Sequence, residues 1–576
     1  MRVQDRGCQY RGRENVAQLA EDYAKARAGG ATERDAADST GVARSTQRYW
    51  EARVAGIDAS DVEKAFFESP AGVAFLHRLV VALHRVVVFC VGGGIRQVIR
   101  ILHLTHVSRF VGASIGTHHG IERDVENELG AYGKTERARL GQLMAPKAIT
   151  VCGDENFHEG ICLVAIEPVS NFLLAETYVE NRTAETWSAT VVEAIKGLPV
   201  TVEQVTSDEG KALLSLARTL NARHATDLFH VQYETSGAMS LPLAHRVNVA
   251  SDTVDEADAQ VTRAKEQRAA WEKSHGPGRP PNFDLRECAV DEGLVEAKLA
   301  LEEATQWQAD ARGARRGLAT DYHPVDLATG EPRTAEQIAA KMQERFDALK
   351  RIATEAGLSE RSMAGLAKAE RLLPTLKASL AFFHERVDRR VAALTLPPEQ
   401  AGIVTTHLVP AAYLERAANR AQLAADKEAL RDTAHERRRA GLHALLAAGV
   451  DEPQRDQLST VAAECADLFQ RTSSCVEGRN GQHALHHHHL HQVSTTRLEA
   501  LTVIHNYVIR RPDGTTAAER FFGHKPNDLL DHLLKTVRVP PRPRRAAQRP
   551  SPAVLHSTPG ARTPGNSWAG ECWTKS

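Results

Sequence analysis

The chain has 576 residues, 42% of them hydrophobic and 25% charged, with 39 Gly and 24 Pro. That composition excludes wholesale disorder, a collagen-like repeat and a disulfide scaffold, and the length suggests roughly four domains. A net charge of −1 points to no partner by itself. The eight cysteines are spread along the chain without a CxxC pair, so neither a zinc ribbon nor a redox motif is written. Reduced cytosolic thiols are expected. The N-terminus is polar and Arg-rich, with no apolar run to make a signal peptide. The most apolar stretch, Ala71 to Val91, is interrupted by Arg78, His84 and Arg85. A membrane span needs ~20 residues with few or no charges, so a buried helix of a soluble, cytoplasmic protein is expected there.

Residues 1–58 read as a helix-turn-helix domain. Glu14 to Ala28 has helical spacing and stops at Gly29-Gly30; Thr32 can cap a second helix, and Gly41 sits in the turn. A third helix opens at Arg44 and ends near Arg53. In such units the last helix enters the major groove, which makes Arg44, Ser45, Gln47 and Arg48 the candidate DNA readers. Ala36, Ala37, Val42 and Trp50 are expected to form the small core; a three-helix interaction module without DNA is the alternative. Residues 59–144 stay helical. Arg96, Arg100, His103, His106 and Arg109 occur there without an acid between them, either a second DNA-binding unit or a solvated face.

At Ala148 the pattern changes. Ala148–Cys152, Ile161–Ile166 and Phe172–Val179 are β-rich runs separated by turn residues, and predict a three-strand meander. A helix over Thr183–Leu198, a strand over Val200–Val205, a helix over Lys211–Leu220 and a last strand over Ala225–Val231 follow. The order β-β-β-α-β-α-β over 145–235 is that of ribonuclease-H-like folds, an analogy that does not give function. Residues 236–455 read as an all-α insertion. Val254, Ala257, Val261, Ala264 and Trp271, then Leu294, Ala297, Leu301 and Ala304, repeat at heptad spacing around GPGRPPNF, predicting a coiled-coil hairpin. Helices at roughly Ala335–Ala356 and Ala411–Ala448 extend the block. Residues 456–535 return to mixed helix and turn. From 536 to 576, seven of the prolines and seven Arg or Lys against one acid read as a basic, disordered tail. The near-zero net charge therefore hides a basic end and does not exclude DNA.

Asp154 is expected just after the first strand and Asp208 just after the fourth, strands that lie side by side in such a sheet. Paired carboxylates at strand ends suit Mg²⁺, which is held by one or two carboxylates plus waters and phosphate oxygens. Two such ions ~4 Å apart can serve an in-line displacement at phosphorus. The competing reading is that both acids cap the helices that follow.

With RTSSCVEGRNGQHAL at 471–485, where Thr472, Ser473 and Ser474 can cap a helix carrying Glu477, the sequence resembles the DDE transposases of bacterial insertion sequences. The likeness lies in CGDENF, TSDEGKALLSLA, ATDLFHVQYE, SSCVEGRNGQ and ALTVIHNYVIRRPDGTTAAERFFGHKP, covering about 145–235 and 456–530. It implies an α/β fold: a ribonuclease-H-like mixed sheet split by a large all-α insertion, preceded by helix-turn-helix DNA-binding helices. It also implies that Asp154, Asp208 and Glu477 hold two Mg²⁺ or Mn²⁺ ions for DNA cleavage and strand transfer. The implied partners are double-stranded DNA, as terminal inverted repeats and target, and further copies of the chain on that DNA, in a nucleoid-associated setting. An inert DNA-binding derivative and another ribonuclease-H-like nuclease, such as a resolvase, are the alternatives. Arg479 and Asn480 are candidate DNA contacts, with simple surface exposure as the other reading. Asp227 and His230 could orient a ligand or scissile phosphate, or form a polar strand terminus. The run His486–His489, with His483 and His491, points around a helix, which disfavours a structural metal site.

Overall fold

The structure, a computed structural model, describes residues 12–158, 160–274, 278–279, 281–470, 474–490 and 493–543. They divide into two compact units: residues up to 80, 96–121 and 538 onward form one, 81–95 and 122–537 the other.

The first unit opens with α1 (Arg13–Ala28), α2 (Glu33–Thr40) and α3 (Arg44–Ala55). Thr32 accepts from the Asp35 N–H while the Asp35 carboxylate accepts from the Thr32 N–H. This reciprocal cap satisfies donors that a helix start leaves free. Gly41, at φ 64°, ends α2 in the left-handed turn that glycine adopts without steric cost. Ala36, Ala37 and Val42 are buried as expected, joined by Ala17 and Tyr23, while Trp50 is half-buried. α4 (Asp61–Phe67) follows, then α5 (Pro70–Leu83), which continues as a π-helical segment, His84–Cys90, in the second unit. Among the described residues, Pro70–Cys90 alone is long and apolar enough to cross a membrane. Val73, Leu76, Val80, Val81, Val88 and Phe89 on it are buried inside the protein. α6 (Ile95–Leu104) buries Val98 and Leu102 and exposes Arg96, Arg100 and His103. α7 (Ile115–Leu143) leads into the sheet.

The tail requires a correction. Arg538–Pro543 belongs to the first unit and is held there: Arg13 donates to the Pro540 carbonyl (3.2 Å), Arg53 to that of Pro543 (2.9 Å), and the Gly112 N–H to that of Pro541 (2.7 Å). Arg542 pairs with the buried Glu68 carboxylate. A Pro-rich segment lacks a core of its own, but its carbonyls remain acceptors for neighbouring arginines. Residues 544–576 lie outside the described residues.

In the second unit, β1 (Lys147–Phe157), β2 (Ile161–Glu167), β3 (Phe172–Val179), α8 (Ala184–Ile195), β4 (Val200–Ser207), α9 (Lys211–Thr219) and β5 (Arg223–Thr226) keep the expected order. The five strands form one mixed sheet, β3-β2-β1-β4-β5. β1–β2 and β2–β3 pair antiparallel, β1–β4 and β4–β5 parallel. Two boundaries differ from expectation. β1 runs to Phe157 because β2 continues to pair with it after β4 has ended. β5 stops at Thr226, and Leu228 already belongs to a helix.

That helix, α10 (Leu228–Ser274), forms a long hairpin with α11 (Phe283–Asp321). Val261, Ala297, Ala304 and Ala311 are buried along the seam. At the heptad slot between Ala264 and Trp271, Arg268 pairs with Glu272 on its own helix and with Asp284 and Glu287 on the other. There follow α12 (Ala335–Glu355), α13 (Glu360–Glu370), α14 (Leu373–Ala392), α15 (Pro398–Ile403), α16 (Val409–Arg420), α17 (Ala424–Ala447) and α18 (Glu452–Ala466). They share a core around Met342, Phe346, Leu380, Leu414 and Leu445. The helix expected over Ala411–Ala448 is two, because the chain folds back at 421–423 so that Leu414 and Leu445 enter the same core. α19 (Ser474–Leu490), α20 (Thr495–Tyr507), α21 (Ala517–Phe522) and α22 (Leu529–Thr536) complete the unit.

Candidate active site

Side chains alternate between the two faces of a strand. From β1, Cys152, Asp154, Asn156 and the following His158 meet α19, while Gly153, Glu155 and Phe157 face the other way. Cys475 is the chief neighbour raising the Cys152 thiol, Asn156 donates to Asn480 (3.4 Å), and the His158 and His487 rings lie 4.5 Å apart. From Cys475 to His487 a helix rises roughly 18 Å, and from Cys152 to His158 a strand rises roughly 20 Å. α19 therefore runs alongside β1 in the same direction. On the opposite face Trp187 donates to Glu155 (3.1 Å), and Arg182 covers the Phe157 ring.

Asp154 sits inside β1, opposite Val164 of β2, and not after the strand as its sequence context suggests. Cys152 and Thr206 are the last parallel pair of β1 and β4, so Asp154 and Asp208 each lie two residues beyond it, at one end of the sheet. Neither acid caps a helix. Asp154 Oδ1 accepts from the Glu155 N–H (2.8 Å) and Asp208 Oδ1 from the Gly210 N–H (3.0 Å), and α9 starts without a side-chain cap. Glu477 is exposed in the first turn of α19; Thr472 and Ser473 before it lie outside the described residues. Asp154 is pushed up to about 7, chiefly by burial and then by the charges of Glu477, Glu155 and Asp208, against the pull of its Glu155 N–H bond.

Like charges gathered at a half-buried strand end fit a divalent cation, which would neutralise them. Among the described residues no three Asp, Glu, His or Cys side chains form a ready-made cation cage. A Mg²⁺ or Mn²⁺ ion held by these carboxylates would have to take its remaining ligands from water and phosphate.

Around Asp208, the Ser207 hydroxyl donates to the Asp208 carbonyl (2.8 Å), and His224 Nε2 lies 3.2 Å from the same oxygen. Burial draws His224 below its ordinary value. Asp227 is fully buried; its Oδ1 accepts from the Phe229 N–H (2.7 Å) at the start of α10, and its charge is one of those raising the Cys152 thiol. It is built into the turn, with His230 half-buried in the first turn of α10.

Two expected DNA contacts need correction. Arg479 is buried, and its Nε and Nη2 donate to the two oxygens of Glu176, each at 2.7 Å. Gln47 is 2% exposed because Gln47, Trp50 and Val54 make the inward stripe of α3. Arg44, Ser45 and Arg48 are exposed, Arg48 paired to Glu33 at 2.7 Å. Asn480 is half-buried against Asn156. Of the histidine run, His486 and His487 are half-buried, while the side chains of His488 and His489, and all of His491, lie outside the described residues. Burial, then the charges of Arg479 and Arg497, lowers His486 to about 4. The sequence reading missed Glu176. A lone acid among strand residues facing the core was its only signal.

A family of unknown function (DUF6399) matches residues 404–549, a span that includes Glu477 and Arg479. No curated protein matches the chain.

Proposed function

We propose that the chain is a DNA transposase of the DDE kind, which binds transposon ends through α3 and cuts and joins DNA at Asp154, Asp208 and Glu477. The observation that carries this reading is the register that sets Asp154 and Asp208 two residues beyond one parallel strand pair, with Glu477 on the helix that runs alongside β1. The strand order β3-β2-β1-β4-β5, with the acids at one end, supports a ribonuclease-H-like core in which α10–α18 are an insertion between the second and third acids.

In this reading Asp154, Asp208 and Glu477 would hold the divalent cation. A pair of Mg²⁺ or Mn²⁺ ions bound there supplies activation of the attacking oxygen and charge neutralisation at the leaving one. The protein's own contribution is positioning and a fixed polar surround, which need not reorganise during the reaction. Ser207 and His224 fix the backbone of Asp208, and the α3 face of Arg44, Ser45 and Arg48 places the DNA. The partners proposed are double-stranded DNA and further copies of the chain assembled on paired ends.

The test is metal-dependent cleavage of a plasmid carrying the DNA that flanks this gene. Glu477→Gln should lose cleavage by at least ~100-fold, a size typical of removing a group from such machinery, while keeping DNA affinity. Cleavage at the wild-type rate would overturn the assignment.

A further inference from the structure

The described side chains of α19 offer little apolar surface with which to dock. Among its described side chains Val476 is the one fully buried aliphatic group, and Leu485 is 71% exposed. The other described side chains of its inward stripe are polar: Arg479 and His483, at helical spacing from Val476, are 5% and 2% exposed. Both converge on Glu176 of β3, whose side chain is fully buried. The Arg479 guanidinium makes a fork onto both carboxylate oxygens (2.7 Å each), His483 Nε2 lies 3.0 Å from Oε1, and the Thr502 hydroxyl of α20 donates to Oε2. Gln482 accepts from the remaining side of Arg479 at 3.1 Å.

The place of Glu176 in the sheet gives this cluster its meaning. Glu176 pairs with Val164, and Val164 pairs with Asp154, so the three stand in one row across β3, β2 and β1. Paired residues share a face, and neighbouring strands lie ~4.8 Å apart, which puts Glu176 roughly 10 Å from Asp154 on the side that α19 covers. A two-pronged Arg–carboxylate contact fixes angle as well as distance. Glu477 precedes Arg479 by two residues on the same rigid helix.

We infer that Glu176 is a positioning residue: through Arg479, His483 and Thr502 it sets where α19 holds Glu477 relative to Asp154. Among the described contacts of this helix, the Glu176 carboxylate is the one that binds two of its buried side chains at once, so the placement of the third acid leans on it. This rests on the polynucleotidyl-transfer reading above.

The test uses the full chain and Glu176→Gln, read by hydrogen exchange of residues 474–487 and by Mn²⁺ binding followed through the electron paramagnetic resonance of the free ion. Loss of a group that orients a metal ligand typically costs 10–100-fold in affinity. The expected result is exchange in α19 faster by about 10-fold or more, exchange in β4 and β5 unchanged, and Mn²⁺ affinity lower by about 10–100-fold. Cleavage should recover toward the wild-type rate at saturating Mn²⁺. Unchanged exchange in α19, or faster exchange with unchanged Mn²⁺ affinity, overturns the inference. Thr502→Val, which leaves the Arg479 pair intact, should shift both readouts the same way by a smaller factor, and serves if Glu176→Gln does not fold. A wild-type protein that binds no Mn²⁺ overturns the transferase reading and the positioning role together, while the exchange arm still reports whether Glu176 anchors the helix.

Discussion

Replacing Asp154 by Asn should stabilise the protein at neutral and alkaline pH and leave it unchanged in mild acid. The carboxyl rises from 3.8 to about 7, because burial and the charges of Glu477, Glu155 and Asp208 oppose its ionisation. Over that window the native state keeps a proton that the unfolded chain has released. Stability therefore falls as pH rises from about 4 and levels off above about 7. The rise corresponds to a native-state cost on the order of 4 kcal/mol when Asp154 is fully ionised. Asn removes the charge yet retains an Oδ1 acceptor for the Glu155 N–H. Guanidinium denaturation with EDTA present, followed by tryptophan fluorescence from pH 4 to 8.5, should show a gain for Asp154→Asn that grows to several kcal/mol by pH 8. Added Mg²⁺ should stabilise the wild type and not the variant. A gain of equal size at pH 4.5 and pH 8, or a loss at pH 8, would refute the electrostatic reasoning.

Gly153 leaves no room on the opposite face of β1. An added Cβ would lie 3.1 Å from Leu213 and 3.4 Å from the Trp187 ring, so Gly153→Val should cost about 1–3 kcal/mol in thermal denaturation; an unchanged melting temperature would contradict this packing. On α3, Arg44→Ala should weaken DNA binding and lower the salt slope by about one counterion, measured by fluorescence anisotropy at several salt concentrations. Gln47→Ala should lower stability with DNA affinity intact, because its side chain lies inside the three-helix unit.

What sequence reasoning captured was mostly local. The Thr32 cap, the Gly41 turn and the order of strands and helices follow from residues within a few positions of each other. The pairing of β1 with β4, which sets Asp154 and Asp208 each two residues beyond the last parallel pair, followed from strand order. The failures involve partners that are distant in the chain or out of view on a helix. Arg479 reads as a free cation until Glu176, 303 residues earlier, is placed beneath it. Gln47 reads as a DNA reader because its polarity outweighed its position, three residues before Trp50 on the inward stripe. Arg538–Pro543 has the composition of a solvated tail, yet its ordering comes from Arg13 and Arg53, more than 480 positions away.

One strand links these outcomes. β1 has to satisfy two neighbours at once: Gly153 and Glu155 accommodate Trp187 of α8, and Cys152, Asp154 and Asn156 meet α19. A one-residue slip of β1 would exchange the two faces, placing Glu155 toward α19 and Asp154 against Trp187. The Trp187–Glu155 bond and the close packing at Gly153 therefore protect the register on which Asp154 depends. On the other side, α19 is held by Cys475, Asn480 and the Glu176 fork, each at a different height along the sheet. The carboxylates sit where they do because both faces of one strand are spoken for, which is why the site can tolerate the burial and the lesser repulsion that raise Asp154.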